Sequence, residues 1–150
     1  MAQLKDTTVT GDLSVNGKIN QKTIDIDSNC KIIEFCKRLD LSAVNNEVQI
    51  TLPDGYVCHP TALVSGATVG FNTYDDKTDA WTTDATVEFS TIRADSGATF
   101  TNSQIISHAD MSSPGLIPFC KTYIKAKVTT AAVGTNTYAV LFGTIYCRKL

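Results

Sequence analysis

The sequence predicts an all-β fold: an antiparallel β-sandwich, jelly-roll-like, preceded by an extended N-terminal β segment. Three observations predict it. Thr is the commonest residue, with Val, Ile and Ala well supplied; Thr, Val and Ile are stiff at χ1 and suit a pleated surface better than a helix. Several stretches alternate apolar and polar residues with a period of two, the signature of a half-buried strand. Turn residues punctuate these stretches at intervals of about 8–12 residues, the rhythm of a sandwich or jelly roll.

The first element is the run from Thr8 to Ile19. Val9, Gly11, Leu13, Val15, Gly17 and Ile19 occupy its odd positions, and Thr, Asp, Ser, Asn and Lys its even ones. Val-Thr-Gly and Val-Asn-Gly recur six residues apart, a repeat too short to form a solenoid by itself. So thin a strand buries its stripe only against another chain or another protein. Val9, Leu13, Val15 and Ile19 are therefore the candidate attachment and oligomer interface, and residues 1–27 the assembly segment ahead of a sandwich domain at 28–150.

Residues 28–39 fit two patterns. Ile32, Ile33, Phe35, Cys36 and Leu39 follow helical spacing after Ser28 as an N-cap, while Ile33, Phe35 and Leu39 also share one face of a strand. The β-branched pair and the β surroundings favour the strand. Glu47 to Leu52 alternates and runs into the turn chemistry of Pro53-Asp54-Gly55. Strands are expected near 61–65 and 68–73, then a polar loop tip at Asp75-Asp76-Lys77-Thr78-Asp79. Thr86 to Ile92 alternates, Asp95-Ser96-Gly97 turns the chain into a strand at 98–101, and Met111-Ser112-Ser113-Pro114-Gly115 reads as a loop. Lys121 to Thr130 alternates again. After a turn at Gly134-Thr135-Asn136, the run from Thr137 to Cys147 carries Tyr138, Val140, Phe142 and Tyr146 on one face and Ala139, Leu141 and Ile145 on the other. A strand apolar on both faces is expected to be central and buried on both sides.

The chain has 150 residues, enough for one domain with a short appendage, and its 43% hydrophobic content supplies a core. A net charge of −2 from 13 basic and 15 acidic residues, with Lys31, Lys37 and Arg38 interleaved with Glu34 and Asp40, is not the basic patch that tracks phosphates. Nucleic acid is not an expected partner. No apolar run approaches the roughly 20 residues of a membrane helix, and the N-terminus lacks a signal-like apolar stretch. Synthesis and folding in a cytoplasm are expected.

No catalytic or metal site is expected, and no cofactor. Cys30, Cys36, Cys58, Cys120 and Cys147 form no C-x-x-C pair and read as small apolar residues of a reduced core. Cys58 and His59 are adjacent on a strand and point to opposite faces, so they make no nucleophile pair. His108-Ala109-Asp110 lacks a G-x-S-x-G elbow. Asp75, Asp76, Asp79 and Asp84 surround Trp81, but the spacing is not that of a calcium loop. Asp75, Asp76, Asp79 and Trp81 remain a candidate recognition loop, where an aromatic could stack on a host surface glycan.

The stretch Leu4-Lys5-Asp6-Thr7-Thr8-Val9-Thr10-Gly11-Asp12-Leu13-Ser14-Val15-Asn16-Gly17 resembles the V-T-G-x-L-x-V-x-G segments of tailed-bacteriophage fibre and appendage proteins. The closing hairpin and long apolar last strand are similar in style to small β-sandwich proteins of phage virions. The resemblance implies a homotrimeric virion protein whose N-terminal segment fixes it to other particle proteins, such as the major capsid protein. No repetitive shaft follows residue 27, so a capsid decoration or short head-fibre protein is expected before a tail fibre. The alternative expectation is a tail or fibre-tip protein that binds the host cell surface.

Overall fold

The computed structural model describes residues 21–67, 82–106, 111–112, 117–134 and 137–150. They form nine strands: β1 (Gln21–Asp25), β2 (Cys30–Asp40), β3 (Glu47–Thr51), β4 (Tyr56–Ala67), β5 (Ala85–Arg93), β6 (Thr99–Ile106), β7 (Met111–Ser112), β8 (Cys120–Thr130) and β9 (Tyr138–Lys149). The described chain is all-β, and every strand pairing is antiparallel.

Local chemistry sets the turns. Asp27 Oδ1 accepts from the backbone N–H of Asn29 (2.6 Å) and Cys30 (2.9 Å), tightening the β1–β2 turn. Gly55 and Gly97 take φ of +75° and +71°, where a side chain would be strained, at the two turns expected from Pro53-Asp54-Gly55 and Asp95-Ser96-Gly97. The ambiguous stretch after Ser28 is a strand, with Ile33, Phe35 and Leu39 buried on one face. Two details differ from the sequence reading. Residues 56–67 form one long strand, because β4 pairs with β9 along its whole length. Met111-Ser112, read as loop, pairs with Gly66 and Ser65 as β7.

The sheet order is β1-β2-β9-β4-β8-β5-β6, with β7 also on β4 and β3 also on β8. Between β4 and β8 the only rung among the described residues is Cys58↔Cys120. The sheet folds over at this corner into two halves, β1-β2-β9-β4-β7 and β3-β8-β5-β6. Inward residues of both halves make one buried cluster: Ile33, Phe35, Leu39, Leu141 and Ile145 from the first, Ile50, Val87, Phe89, Ile124 and Val128 from the second. The result is sandwich-like. Each large apolar side chain withdrawn from water contributes about 1.5–3 kcal/mol, so this cluster outweighs any surface contact. The strands also pair outside-in: β2 with β9, β3 with β8, β4 with β7, β5 with β6.

Polar details close the seams. Lys37 occupies an inward position of β2 but extends its ammonium to the Gln49 carbonyl (2.6 Å), and Gln21 Nε2 donates to the Thr51 carbonyl (2.9 Å). Both bonds satisfy the free edge of β3. The β5–β8 register slips between Thr91 and Ile92. Thr122, in that bulge, takes φ +76°, and the buried Thr91 hydroxyl donates to the Tyr123 carbonyl.

Candidate functional site

The candidate surface is the outer face of the β1-β2-β9 sheet. Antiparallel pairing lines up side chains of one face in rows across the strands. Ile24, Ile32 and Tyr146 form one such row, Cys36 and Phe142 another, Arg38 and Val140 a third. Phe142 is 37% exposed and Tyr146 54%, while Leu141 and Ile145, their chain neighbours on the inner face, are 2% and 0% exposed. Backbone register continues the rows onto β4, with Val64 opposite Phe142 and Gly66 opposite Val140.

This corrects one sequence expectation. β9 is central, flanked by β2 and β4 as expected, but among the described residues it is buried on its inner face only. The alternation of apolar residues on both faces identified two apolar surfaces, and the fold supplies cover for one.

Charge both crosses and frames this face: Lys22, Glu34 and Thr144 form the row between Ile32–Tyr146 and Cys36–Phe142. Arg38 stacks its guanidinium 3.8 Å from the Tyr138 ring centroid at one end. Beside it, Asp40 Oδ1 accepts from the Ser42 hydroxyl (2.6 Å) and N–H (2.9 Å), which holds the carboxyl below its ordinary range. On the opposite, inner side of the sheet, Lys31 pairs with Asp25 at 2.7 Å, and that bond raises the lysine pKa.

The cysteines divide. Cys58, Cys120 and Cys147 are buried, as expected of core residues, whereas Cys30 and Cys36 are exposed on β2. The parity of β2 explains it: Cys30 and Cys36 share the outer face with Ile32, not the inner face with Ile33 and Phe35.

Val9, Leu13, Val15 and Ile19 lie outside the described residues, as do Asp75, Asp76, Asp79, Trp81, His108 and Asp110. Asp84 is exposed just ahead of β5. Among the described residues no group of three His, Cys, Asp or Glu side chains is placed to hold a metal ion, and no helix is long and apolar enough to cross a membrane. An apolar pocket lies between the halves, lined by Lys37, Val48, Ile50, Phe89, Ile124 and Leu141. It belongs to the core.

The outer contribution of β2 was missed from sequence. Ile32 and Cys36 were visible as apolar positions, but only the pairing with Tyr146 and Phe142 assembles them into a face. Comparison with protein-family models, with curated proteins and with solved structures finds no match to this chain.

Proposed function

We propose that the chain is a structural protein of a tailed-bacteriophage particle, a capsid decoration or short head-fibre module that assembles as a homotrimer and attaches through its N-terminal segment. The observation that carries the reading is the apolar outer face of β2 and β9. Large apolar side chains exposed together on one sheet face, here Phe142 and Tyr146, mark an interaction surface. A second copy of the chain is the occupant proposed for it.

Two further observations support the reading. We read the outside-in pairing, with β2-β9-β4-β7 in one half and β3-β8-β5-β6 in the other, as that of a jelly roll. Jelly rolls recur in viral capsid and lectin domains, which is support by analogy of fold. The alternating N-terminal segment also leads directly into β1, at the margin of the apolar face. Extended segments of this kind bind by adding a strand to an exposed sheet edge, main-chain bonds supplying affinity and alternate side chains register. The role is assembly rather than catalysis, in a protein made in the bacterial cytoplasm and carried on the virion.

Light scattering should return about three times the 16.2 kDa chain mass at micromolar concentration; a monomer mass would defeat the trimer. Leu13→Asp with Val15→Asp should leave the melting temperature near wild type and abolish co-sedimentation with undecorated capsids. Wild-type occupancy by this variant would move attachment into the sandwich. Microscopy of labelled particles should place the label on heads, and label on tails would favour the host-binding alternative.

A further inference from the structure

Three cysteines meet at the fold's corner. Cys58 sits on β4, directly opposite Cys147 of β9 on one side and Cys120 of β8 on the other. All three are withdrawn from solvent, at 0%, 3% and 0% exposure. The two flanking thiols are not equivalent. Cys58 and Cys147 face each other sulfur to sulfur, 2.8 Å apart. Cys120 turns its thiol to the backbone carbonyl of Cys58 (3.2 Å) instead.

The backbone already suits a bond between the first two. Directly opposed residues on antiparallel strands have Cα atoms about 4.5–5.5 Å apart, inside the roughly 4.4–6.8 Å span that a disulfide bridges. The sulfurs need close by less than about 1 Å to reach the bonded distance near 2.05 Å. No strand has to move.

We propose that Cys58 and Cys147 are a dithiol–disulfide couple that latches β9 to β4 when a peroxide-class oxidant reaches the corner. The Cys147 thiolate attacks one peroxide oxygen, giving a sulfenic acid and releasing water once the leaving oxygen takes up a proton. The Cys58 sulfur then attacks the sulfenic sulfur, its proton leaves with the departing hydroxyl as a second water, and one Sγ–Sγ bond remains. Two thiols and one hydrogen peroxide become one disulfide and two waters.

The surroundings divide the roles. Cys58 donates its S–H to Cys147, and Lys31 places a positive charge nearby; both lower the Cys147 pKa, while Cys58 is raised as the donor. The thiolate is the nucleophile in such chemistry. Access comes from the strand end. Cys147 lies two residues from the end of β9, and terminal rungs open more readily than central ones. Nothing in this couple depends on what covers the outer face.

The test uses the full chain carrying Cys30→Ser and Cys36→Ser, which removes the exposed thiols. The folded protein is treated with hydrogen peroxide, denatured, alkylated and cut with trypsin. Lys77 and Arg93 separate Cys58 from Cys120, and Lys121, Lys125 and Lys127 separate Cys120 from Cys147, so each cysteine falls on its own peptide. The expected product links the Cys58 and Cys147 peptides and leaves Cys120 alkylated. The oxidised protein should melt about 5–10 °C higher, reversibly with dithiothreitol, as expected for a bond closing a long loop. Cys120→Ala should keep the link, and Cys147→Ser should lose it. A Cys58–Cys120 link, oxygen added to either thiol without a link, or three free thiols after treatment would each overturn the proposal. Should Cys147→Ser not fold, the peptide map of the Cys120→Ala protein decides alone.

Discussion

The two halves of the sandwich bury similar inner faces and present opposite outer ones. On β3-β8-β5 the outward positions are polar rungs. Lys127 lies between Glu47 and Glu88, and Lys125 between Gln49 and Ser90, with a Lys125–Glu47 contact at 3.3 Å. On β2-β9 the corresponding positions hold Ile32, Cys36, Val140, Phe142 and Tyr146, interrupted by Glu34, Arg38 and Thr144. Strand propensity alone does not produce the difference, since Thr, Lys and Glu alternate well enough to leave a wet face on one half. The contrast is what the proposed partner surface rests on.

The largest expected effect tests the two faces of β9 against each other. Leu141→Ala should cost about 2–5 kcal/mol in denaturant unfolding, because it opens a cavity against Phe89 and Ile124 in the shared core. Phe142→Ser with Tyr146→Ser should change protomer stability far less while weakening self-association at least about tenfold, roughly 1.4 kcal/mol, measured by sedimentation. Equal losses of unfolding free energy from the two faces would erase the distinction.

The next effect concerns the corner where the halves join. Burial pushes the Cys120 thiol up from 9.0 to about 11. The folded state therefore keeps the proton after the unfolded chain has released it. Stability from this group is fully present below pH 9 and is lost as pH rises from about 9 to 11. Two pKa units correspond to about 2–3 kcal/mol at most. Reduced wild type should show this alkaline loss in urea titrations, and Cys120→Ala should show a flatter profile. Parallel profiles would mean the corner is wetter than its burial implies.

The smallest effect belongs to the polar outer face. Lys127→Ala removes the centre of the Glu47–Lys127–Glu88 rung, yet exposed pairs are worth about 0–1 kcal/mol. Unfolding free energy should change by less than about 1 kcal/mol, and association not at all. A large loss of association would place a second contact surface on this half.

Most strands were legible because period-two alternation and turn chemistry agree along the chain. β5, with Ala85, Val87, Phe89 and Thr91 buried in strict alternation, is the clearest case. β7 was not legible, since two residues carry no period and its pairing with Gly66 and Ser65 is a tertiary fact. The bulge at Thr122 was equally hidden, because nothing in Lys121-Thr122-Tyr123 announces a left-handed residue. The candidate site was half legible. The second apolar stripe of β9 stood out, but sequence does not distinguish cover by the chain itself from cover by a neighbour. The thiol couple was invisible from spacing, as 89 residues separate Cys58 from Cys147.

The position of β9 sets the order in which the protein can form. β2 and β4 make no rungs with each other; each is bonded to β9 along its length. Until residues 138–149 have been synthesised, the long strand 30–40 and the long strand 56–67 both present unsatisfied main-chain groups on the sides that β9 will fill. Local pairs such as β5–β6 and β1–β2 can zip early, but the first half of the sandwich closes only with the last strand inserted between two that have been waiting. Folding of this half therefore waits for β9 and is slow for its size, as long-range pairing demands. A polypeptide halted before β9 would expose two long edges of the kind that recruit other chains, and would be expected to aggregate rather than to persist as a smaller folded unit.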